Sequence, residues 1–514
     1  MIRNLGRIGE LAPRVPDAAL LVAVLLVSYA YFYQAGGWNQ NSRFALVRAI
    51  VEGGTVRIDA YHDATGDKVV VGGHFYTDKA PGQSFAAVPF VAAGRSVLRA
   101  GGVDPESAVG IAWLSYLATL VSASLPMAVG ALALLRAARR LGASRSGALF
   151  AAIAVGLATP AWAYATLFIG HCMAGAALML AFTAALAMGT ASSERRRRLL
   201  AAAVGAAGGW ATLTEYPAGP AALIVAVLAL TLAWPRGFKA TVQVGAAIAI
   251  GSSGFVVALL AYHQAVFGSP FVTPLEHLYG FPNVKVQPFA WPRAGVLAAL
   301  FFSEARGLFV LAPVLLAAPV GFVTAWRRPG SEARSRRAAV LAAAAIAVYY
   351  PLMNASFATP AGGWIYGPRL MAACLPFLGL GVAFAFTHAG VWLRSALAVA
   401  ALCGAALSLL AVSTTVQVPE HLRRPVPQLL WPSFRAGQLS RSTYSFLGST
   451  SPSGKADSGF IGRGAWNLGE LVGLRGHPSL APLALAWLGL GALAWRSQVR
   501  AAPRKAALEG GDGS

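Results

Sequence analysis

Residues 168–190 read FIGHCMAGAALMLAFTAALAMGT and contain no aspartate, glutamate, lysine or arginine. The hydrocarbon core of a bilayer is about 30 Å thick, and a helix needs about 20 apolar residues to cross it. Because lipid offers the backbone no hydrogen-bond partner, such a segment is expected to form an α-helix. The stretch therefore predicts a membrane-spanning helix, which ends shortly before the basic run Arg195–Arg198.

The same pattern recurs along the 514 residues, of which 57% are hydrophobic and only 12% charged. The similar stretches are 17–34, 109–135, 147–165, 199–215, 217–234, 240–262, 307–326, 336–352, 370–387, 395–415 and 478–495. Their abundance of alanine and glycine suits the close approach of helices within membranes. We predict an all-α polytopic membrane protein with about twelve transmembrane helices.

The formal net charge of +22 is distributed in a way that predicts membrane topology. More than half of the 41 lysines and arginines fall at the termini or in short connections such as 136–145, 195–198 and 327–337. Short loops rich in lysine and arginine stay on the cytoplasmic side. We therefore expect an integral protein of the cytoplasmic membrane with both termini inside. Nucleic-acid binding is not predicted, because it would need one contiguous basic face with aromatics among the charges.

The predicted organisation is a transmembrane module (1–415), an outer-face loop (416–477), and a last transmembrane helix with a cytoplasmic tail (478–514). The cytoplasmic loops carry little besides arginine, whereas the outer segments are longer or chemically denser. Charged residues at the ends of membrane helices are costly and often functional. We therefore expect the chemistry on the outer face, in the segments 35–108, 263–306, 353–369 and 416–477.

The first outer segment concentrates polar residues in GDKVVVGGHFYTDKAPGQS (66–84). Paired glycines among β-branched residues are typical of turns and short extended pieces. Before it, SRFALVRAIVE (42–52) places its apolar residues on one helical face, which predicts a helix lying flat at the membrane interface. After it, the apolar run 85–94 is too short to cross the bilayer and predicts a second interfacial helix.

The turn that contains Gly73, Tyr76, Asp78, Lys79 and Pro81 follows the pattern G-x-x-Y-x-(D/E)-K-(A/P)-P. It resembles the first outer loop of the GT-C glycosyltransferases, among them the protein O-mannosyltransferases and the bacterial aminoarabinose–lipid A transferases. Other stretches that resemble elements of bacterial members are ATLFIGHCMAGAALMLAF (165–182), LTEYPAG (213–219), VFGSPF (266–271), SEARGLFVLAP (303–313) and GGWIYGPRLMAACLPF (362–377).

The resemblance implies transfer of a sugar from a polyprenyl-phosphate donor to an acceptor glycan, lipid or protein at the outer face. Such a reaction needs cations for the leaving phosphate and a base for the acceptor hydroxyl. We expect Lys79, Arg306 and Arg369 at the phosphate, and Asp59 or, second, Asp78 as the base. The residues expected to bind the sugar or the acceptor are His74, Tyr76, His171, Glu215, Glu276, His277 and Tyr366. No cofactor is certain; a divalent metal is one use for His171, Glu215, Glu276 and His277.

The sequence departs from the resemblance immediately after the first helix. Many family members have an acidic pair there, and its aspartate is taken as the catalytic base, but this chain has Gln40 and Asn41. An amide cannot accept a proton at neutral pH. Two alternatives therefore stay open: a base elsewhere in the loop, and a non-catalytic scaffold. A transporter or lipid flippase is a further alternative, from another class of protein.

Each cationic candidate also has a structural alternative. Lys79 could pair with its neighbour Asp78 in a solvated turn, and Arg306 could pair with Glu304. Arg369 could extend from a helix end to the interface.

Overall fold

The computed structural model describes residues 15–277, 290–357, 362–442, 444–447 and 464–499. The arginines before Val15, the tail after Val499 and the central part of the loop 416–477 lie outside the described residues, as does the side chain of Glu276.

The described part of the chain is almost entirely helical. The helices are α1 Val15–Ala30, α2 Trp38–Gly53, α3 Gly82–Ala100, α4 Ala108–Thr119, α5 Leu125–Arg140, α6 Arg145–Leu157, α7 Ala161–Ala165, α8 His171–Gly189, α9 Glu194–Thr214, α10 Ala218–Ala233, α11 Phe238–Phe267, α12 Ala294–Phe302, α13 Leu308–Leu311, α14 Ala318–Arg327, α15 Ala333–Ser356, α16 Leu375–His388, α17 Val391–Thr414, α18 Trp431–Arg435, α19 Leu468–Leu471 and α20 Ala481–Val499. Four short strands accompany them: β1 Phe32–Tyr33, β2 Lys68–Val71, β3 His74–Thr77 and β4 Trp466–Asn467.

Every apolar stretch predicted to span the membrane is largely helical, although 17–34 continues into strand β1 and 147–165 is interrupted between α6 and α7. Eight helical segments within the described residues are long and apolar enough to cross a bilayer, and three more apolar helices are shorter. The helix α9, which begins with Glu194 and four arginines, covers the predicted stretch 199–215. The chain is thus an all-α, multi-pass membrane protein.

The basic connections gather at one end of the helical bundle. Arg145 pairs with Asp17 at the start of α1, with 2.5 Å between a guanidinium nitrogen and a carboxylate oxygen. Arg328, after α14, donates to the backbone carbonyl of Gly142. Thr387, near the end of α16, lies 3.2 Å from the hydroxyl of Ser144. Because α16 begins just after Arg369, that arginine lies toward the other end of the bundle.

The two helices of the first outer segment are longer than their apolar patterns indicate. The helix α3 has 19 residues, although its apolar run is about half as long, and it continues through Pro89. The helix α2 begins at Trp38, and its first half is buried rather than presenting one polar face. Its buried polar residues are Asn39, Gln40, Asn41, Ser42 and Arg43.

The charged run between these helices forms a β-hairpin. Strand β2 pairs antiparallel with β3, with Lys68 opposite Thr77 and Val71 opposite His74. Gly72 and Gly73 connect them with φ angles of 58° and 81°. Positive φ at both central residues is the signature of a type I′ turn, whose twist matches that of the flanking strands. The predicted turn with extended flanks is confirmed, and the hairpin leads directly to Asp78 and Lys79.

The segment NLGELVGLRG (467–476) lies beside the first strand, although it comes near the end of the described residues. Strand β4 pairs with β1, with Phe32 opposite Asn467. Asn467 and Glu470 form a reciprocal capping box at the start of α19. Such a box satisfies two backbone N–H groups that a helix start otherwise leaves without partners. This segment therefore anchors the chain beside the first helix.

The helices α9 and α11 touch backbone to backbone through glycines. A Cβ atom at Gly251 would collide with the carbonyl of Ala202, and one at Gly205 would collide with the carbonyl of Ile248. In membranes, where helix association depends on close packing, small residues make such contacts.

We expect Gly251→Ala to lower the free energy of unfolding by about 1–3 kcal/mol, the usual cost of overpacking. Gly254→Ala is the matched control, because it lies on the same helix with no atom within 4 Å of an added Cβ. Unfolding in a sodium dodecyl sulfate titration measures both. Equal stability of the two variants would contradict the close contact between α9 and α11.

Candidate functional site

Charged side chains from distant parts of the sequence meet near the hairpin, at the end of the bundle away from the basic connections. They come from α2, the hairpin and its exit, the start of α8, the end of α9 and the residues before α16. We call this group the polar cluster: Arg43, Asp67, Asp78, Lys79, His171, Glu215 and Arg369.

Lys79 lies between two carboxylates at the hairpin exit. Its ammonium nitrogen is 2.8 Å from an oxygen of Asp78 and 2.9 Å from one of Asp67. The predicted Lys79–Asp78 pair therefore exists, but it is largely buried rather than solvated. Burial opposes the charge of the ammonium, yet the two carboxylates raise the pKa of Lys79 above its usual value.

The two carboxylates beside Lys79 differ in their pKa. Burial raises the pKa of Asp78 despite the opposing charge of Lys79. Burial also opposes ionisation of Asp67, but Lys79 holds the pKa of this carboxyl below its usual value. Close by, the hydroxyl of Ser42 lies 2.6 Å from that of Thr77. Lys79 thus contacts both carboxyls in a site where the burial of each charge costs free energy.

Arg43 is the most buried cation of the cluster, with only 1% of its surface exposed. Its guanidinium donates to the side-chain oxygen of Asn39 at 3.2 Å, to the carbonyl of Ala80 at 3.2 Å and to a carboxylate oxygen of Glu215 at 2.5 Å. The positive charge of Arg43 thus lies against the carboxylate of Glu215, which favours the ionised form of this carboxyl. Arg43 therefore ties α2 and the hairpin exit to the end of α9.

His171 lies on the other side of the same carboxylate. Its Nδ1 is 3.3 Å from the oxygen of Glu215 that accepts from Arg43. A Cβ atom on the preceding residue, Gly170, would collide with that oxygen and lie 3.1 Å from a guanidinium nitrogen of Arg43. The small residue at the start of α8 thus allows Glu215 to reach both partners.

Two buried nitrogens of the cluster have no hydrogen-bond partner among the described residues: Nε2 of His171 and Nε of Arg369. The Arg369 side chain forms no ion pair within the described residues either, although it interacts electrostatically with Asp67 and Glu215. Buried polar groups are nearly always hydrogen-bonded. These two nitrogens therefore mark the place where the cluster can bind a polar ligand.

Arg306 has a different environment from Lys79 and Arg369. It is buried and donates to the backbone carbonyls of Gly363 and Val418, the latter at 3.5 Å. The alternative pairing of Arg306 with Glu304 is not found, because Glu304 pairs with Arg424 at 2.5 Å. Arg306 thus connects the segments that precede and follow the helices α16 and α17.

The predicted hairpin residues Asp59, His74 and Tyr76 lie outside the polar cluster. Asp59 is 42% exposed, lies 2.8 Å from Nδ1 of His74, and accepts from the backbone N–H of Phe75 at 2.6 Å. Burial slightly opposes its ionisation, but these two partners lower the pKa of Asp59. Tyr76 is buried in a small core with Tyr262.

The remaining predicted residues also take other positions. The ring of His277 stacks on Phe267 at a centroid distance of 5.6 Å. Tyr366 is buried near Ser408. Within the described residues, no group of three or more histidine, cysteine, aspartate or glutamate side chains could hold a metal ion. Of the predicted set His171, Glu215, Glu276 and His277, the described side chains show one contact, between His171 and Glu215.

Asn41, one of the two amides in place of the expected acidic pair, has a defined structural role. Its side-chain nitrogen donates to the carbonyls of Ala64 at 2.7 Å and Ser445 at 3.1 Å, and its oxygen accepts from the backbone of Gly37 at 3.2 Å. A carboxylate has no proton to donate to two carbonyl oxygens. The departure from the family pattern is therefore part of this fold.

No protein-family model and no curated protein matches the chain. Among solved structures, the chain is similar to ArnT from Cupriavidus metallidurans bound to undecaprenyl phosphate, with 17% identity, a TM-score of 0.48, and coverage of 79% of this chain and 65% of that chain. The apo form of ArnT gives 15% identity, a TM-score of 0.48 and coverages of 84% and 69%.

A third similar structure is the archaeal oligosaccharyltransferase AglB from Archaeoglobus fulgidus, in complex with an inhibitory peptide and a dolichol-phosphate. It gives 11% identity, a TM-score of 0.44, and coverage of 77% of this chain and 55% of that chain. The chain thus spans just under two thirds of ArnT in its lipid-bound form and about half of AglB.

Proposed function

We propose that this protein transfers a sugar from a polyprenyl-phosphate donor to an acceptor at the outer face of the cytoplasmic membrane. The observation that carries the proposal is the pair Lys79 and Arg369 in the polar cluster. Arg369 is a cation without an ion-pair partner among the described residues, and its buried Nε has no acceptor there. A phosphate would supply both the charge and the acceptor oxygens.

The two cations have complementary uses at a phosphate. The guanidinium of Arg369 is a planar fork that can bind two phosphate oxygens. The ammonium of Lys79 has three N–H donors, of which the contacts with Asp67 and Asp78 use two. The third can reach a phosphate oxygen while the carboxylates keep the lysine in place.

This arrangement suits a leaving group that gains negative charge. When the bond between a sugar and a lipid phosphate breaks, the phosphate becomes a dianion. Fixed cations in a site of low dielectric stabilise such charge strongly, because they need no reorganisation during the reaction. The helices beside the cluster are apolar enough to lie in the bilayer, where a prenyl chain would be accommodated.

The proposal is tested with the purified protein in liposomes and two kinds of probe. Undecaprenyl phosphate tests binding, and polyprenyl phosphates that carry mannose, glucose or aminoarabinose test the release of polyprenyl phosphate. We expect binding of the first and release from at least one of the others. A protein that binds undecaprenyl phosphate but releases nothing from any donor would indicate a scaffold, and translocation of the lipid without release would indicate a flippase.

Arg369→Met is expected to weaken the binding of undecaprenyl phosphate by about 10- to 150-fold, the equivalent of one charged hydrogen bond of about 1.5–3 kcal/mol. The loss follows from the removal of the guanidinium, while the methionine keeps the apolar contacts of the side chain. Native mass spectrometry or isothermal calorimetry measures the affinity. Arg424→Met is the control, because Arg424 is exposed and pairs with Glu304. Equal affinity in both variants would remove Arg369 from the phosphate site.

A further inference from the structure

We propose that His171 is the general base of the transfer and that its Nε2 accepts the proton of the acceptor hydroxyl. The inference deepens the proposed function and rests on it. It assigns proton acceptance to a histidine, because this chain has the amides Gln40 and Asn41 where an acidic pair was expected. Three observations support it: the contact of its Nδ1 with Glu215, the buried Nε2 without a partner among the described residues, and the engagement of the carboxylates near the hairpin.

The first observation is a chain of contacts from Arg43 through Glu215 to His171. Arg43 donates to one oxygen of Glu215 at 2.5 Å, and the same oxygen lies 3.3 Å from Nδ1 of His171. A carboxylate beside Nδ1 favours the tautomer that carries its proton on that nitrogen. The lone pair of a neutral imidazole then lies on Nε2. Glu215 also offsets part of the positive charge that forms when Nε2 is protonated, against the opposing charges of Arg369, Arg43 and Lys79.

The second observation is that Nε2 is buried without a hydrogen-bond partner among the described residues, in a side chain with 8% of its surface exposed. The charged groups that face His171 are Glu215, Arg369, Arg43 and Lys79. Arg369 and Lys79 are the cations proposed to hold the donor phosphate. An acceptor hydroxyl that reaches the sugar on this phosphate would therefore approach the side of the cluster where Nε2 lies.

The third observation is that the carboxylates near the hairpin are already engaged. Asp59 is exposed and accepts from a backbone N–H and from His74. Asp67 and Asp78 share the ammonium of Lys79. A base needs a lone pair directed at its substrate. Unlike these three carboxylates, Nε2 of His171 can accept a proton without losing a contact with a described residue.

The step balances without a further reactant. The proton of the acceptor hydroxyl moves to Nε2, and the acceptor oxygen forms a bond to the anomeric carbon of the sugar. The bond between that carbon and the phosphate oxygen breaks, and the electron pair leaves with the polyprenyl phosphate. Arg369 and Lys79 stabilise the phosphate that departs. The imidazolium returns its proton to water after the products leave.

The test uses the full-length protein, a polyprenyl-phosphate sugar that the unaltered protein cleaves, and undecaprenyl phosphate as the binding probe. We expect His171→Ala to lower the rate of release about 100-fold or more, as is usual when a general base is lost. The affinity for undecaprenyl phosphate should stay within about twofold, because Lys79 and Arg369 are unchanged. Added imidazole should restore part of the rate in His171→Ala, which loss of a merely structural side chain would not allow.

His171→Asn is the second variant, because its amide can still contact Glu215 while Nε2 is removed. It should fold if His171→Ala does not, and it should show the same loss of rate. His388→Ala is the control, since His388 is exposed at the far end of α16, and its rate should not change. Rates within threefold of the unaltered protein in His171→Asn would overturn the assignment.

The competing assignment has its own signature. If Asp59→Asn or Asp78→Asn loses the rate while His171→Asn keeps it, a carboxylate is the base and the inference is wrong. A failure of the proposed function is distinguishable from both outcomes, because the unaltered protein would then release no polyprenyl phosphate from any donor.

Discussion

Replacement of Arg43 by methionine is expected to lower the free energy of unfolding by about 3–5 kcal/mol at pH 7, the usual cost of one partner lost from a buried ion pair. Arg43 is almost completely buried, and its guanidinium contacts the carboxylate of Glu215. In the variant, the only ion-pair contact that this carboxylate keeps among the described residues is with His171, while Lys79 and Arg369 act on it without direct contact. The loss of unfolding free energy is measured by adding increasing amounts of sodium dodecyl sulfate to the protein in a mild detergent.

The loss should depend on pH, because Arg43 stabilises Glu215 only while this carboxyl is ionised. Acid protonates the carboxyl and so removes the uncompensated charge that the variant leaves. The difference in the free energy of unfolding between the variant and the unaltered protein should therefore be largest at neutral pH and should become smaller in acid.

Two further variants make this expectation specific. Arg43→Met combined with Glu215→Gln should recover most of the stability, because no uncompensated charge is left. Arg48→Met is the control on the same helix: its partner Glu52 keeps a second contact, with Arg95 at 2.7 Å. A double variant no more stable than Arg43→Met alone would show that Arg43 does not act through its charge.

Replacement of Lys79 by methionine should have an effect of similar size, about 3–5 kcal/mol at pH 7, because two buried carboxylates then lose their shared cation. Asp67, whose pKa Lys79 holds below its usual value, would lose its stabilisation at neutral pH. Asp78, whose pKa is already raised by burial, would then repel the carboxylate of Asp67 without Lys79 between them. The loss should shrink as the pH falls and the carboxyls are protonated.

The double variant Lys79→Met with Asp78→Asn separates stability from ligand binding. It should recover much of the stability, since a single carboxylate replaces two that repel each other, but it should not recover the affinity for undecaprenyl phosphate. Lys68→Met is the control within the hairpin, where Lys68 donates to the carbonyl of His62 at 2.8 Å. If affinity returned together with stability, Lys79 would have only a structural role.

The fold was accessible from the sequence because its strongest signal is local. The composition of a run such as 168–190 predicts a membrane helix without any information about the residues around it. The type I′ turn at Gly72 and Gly73 is equally local. The capping box of Asn467 and Glu470 is another such signal, three residues apart, that sequence analysis could have used to assign a helix start.

The site was only partly accessible, because its contacts join residues far apart in the chain. Lys79, Arg369, His171 and Glu215 were predicted from polar residues at helix ends and from resemblance. Arg43 was missed because a helix with apolar residues on one face predicts that its arginines face water. Its partner Glu215 lies 172 positions later, and no pattern within α2 reveals it.

The choice among Asp59, Asp63, Asp67 and Asp78 could not be made from sequence for a related reason. Asp59, Asp67 and Asp78 occur in similar polar surroundings along the chain, yet Asp59 is exposed and the other two share Lys79. Their environments depend on how the hairpin packs against α2 and the end of α9. A single sequence carries no signal for that packing, so the first preference for Asp59 rested only on its proximity to the first helix.

A structure of the protein with undecaprenyl phosphate bound tests the phosphate site most directly. We predict phosphate oxygens within about 3 Å of Nζ of Lys79 and of the guanidinium of Arg369, with the prenyl chain leaving toward the bilayer. Lys79 should keep its contacts with Asp67 and Asp78. A phosphate bound among the arginines at the other end of the bundle, with Arg369 still without a partner, would contradict the proposed function.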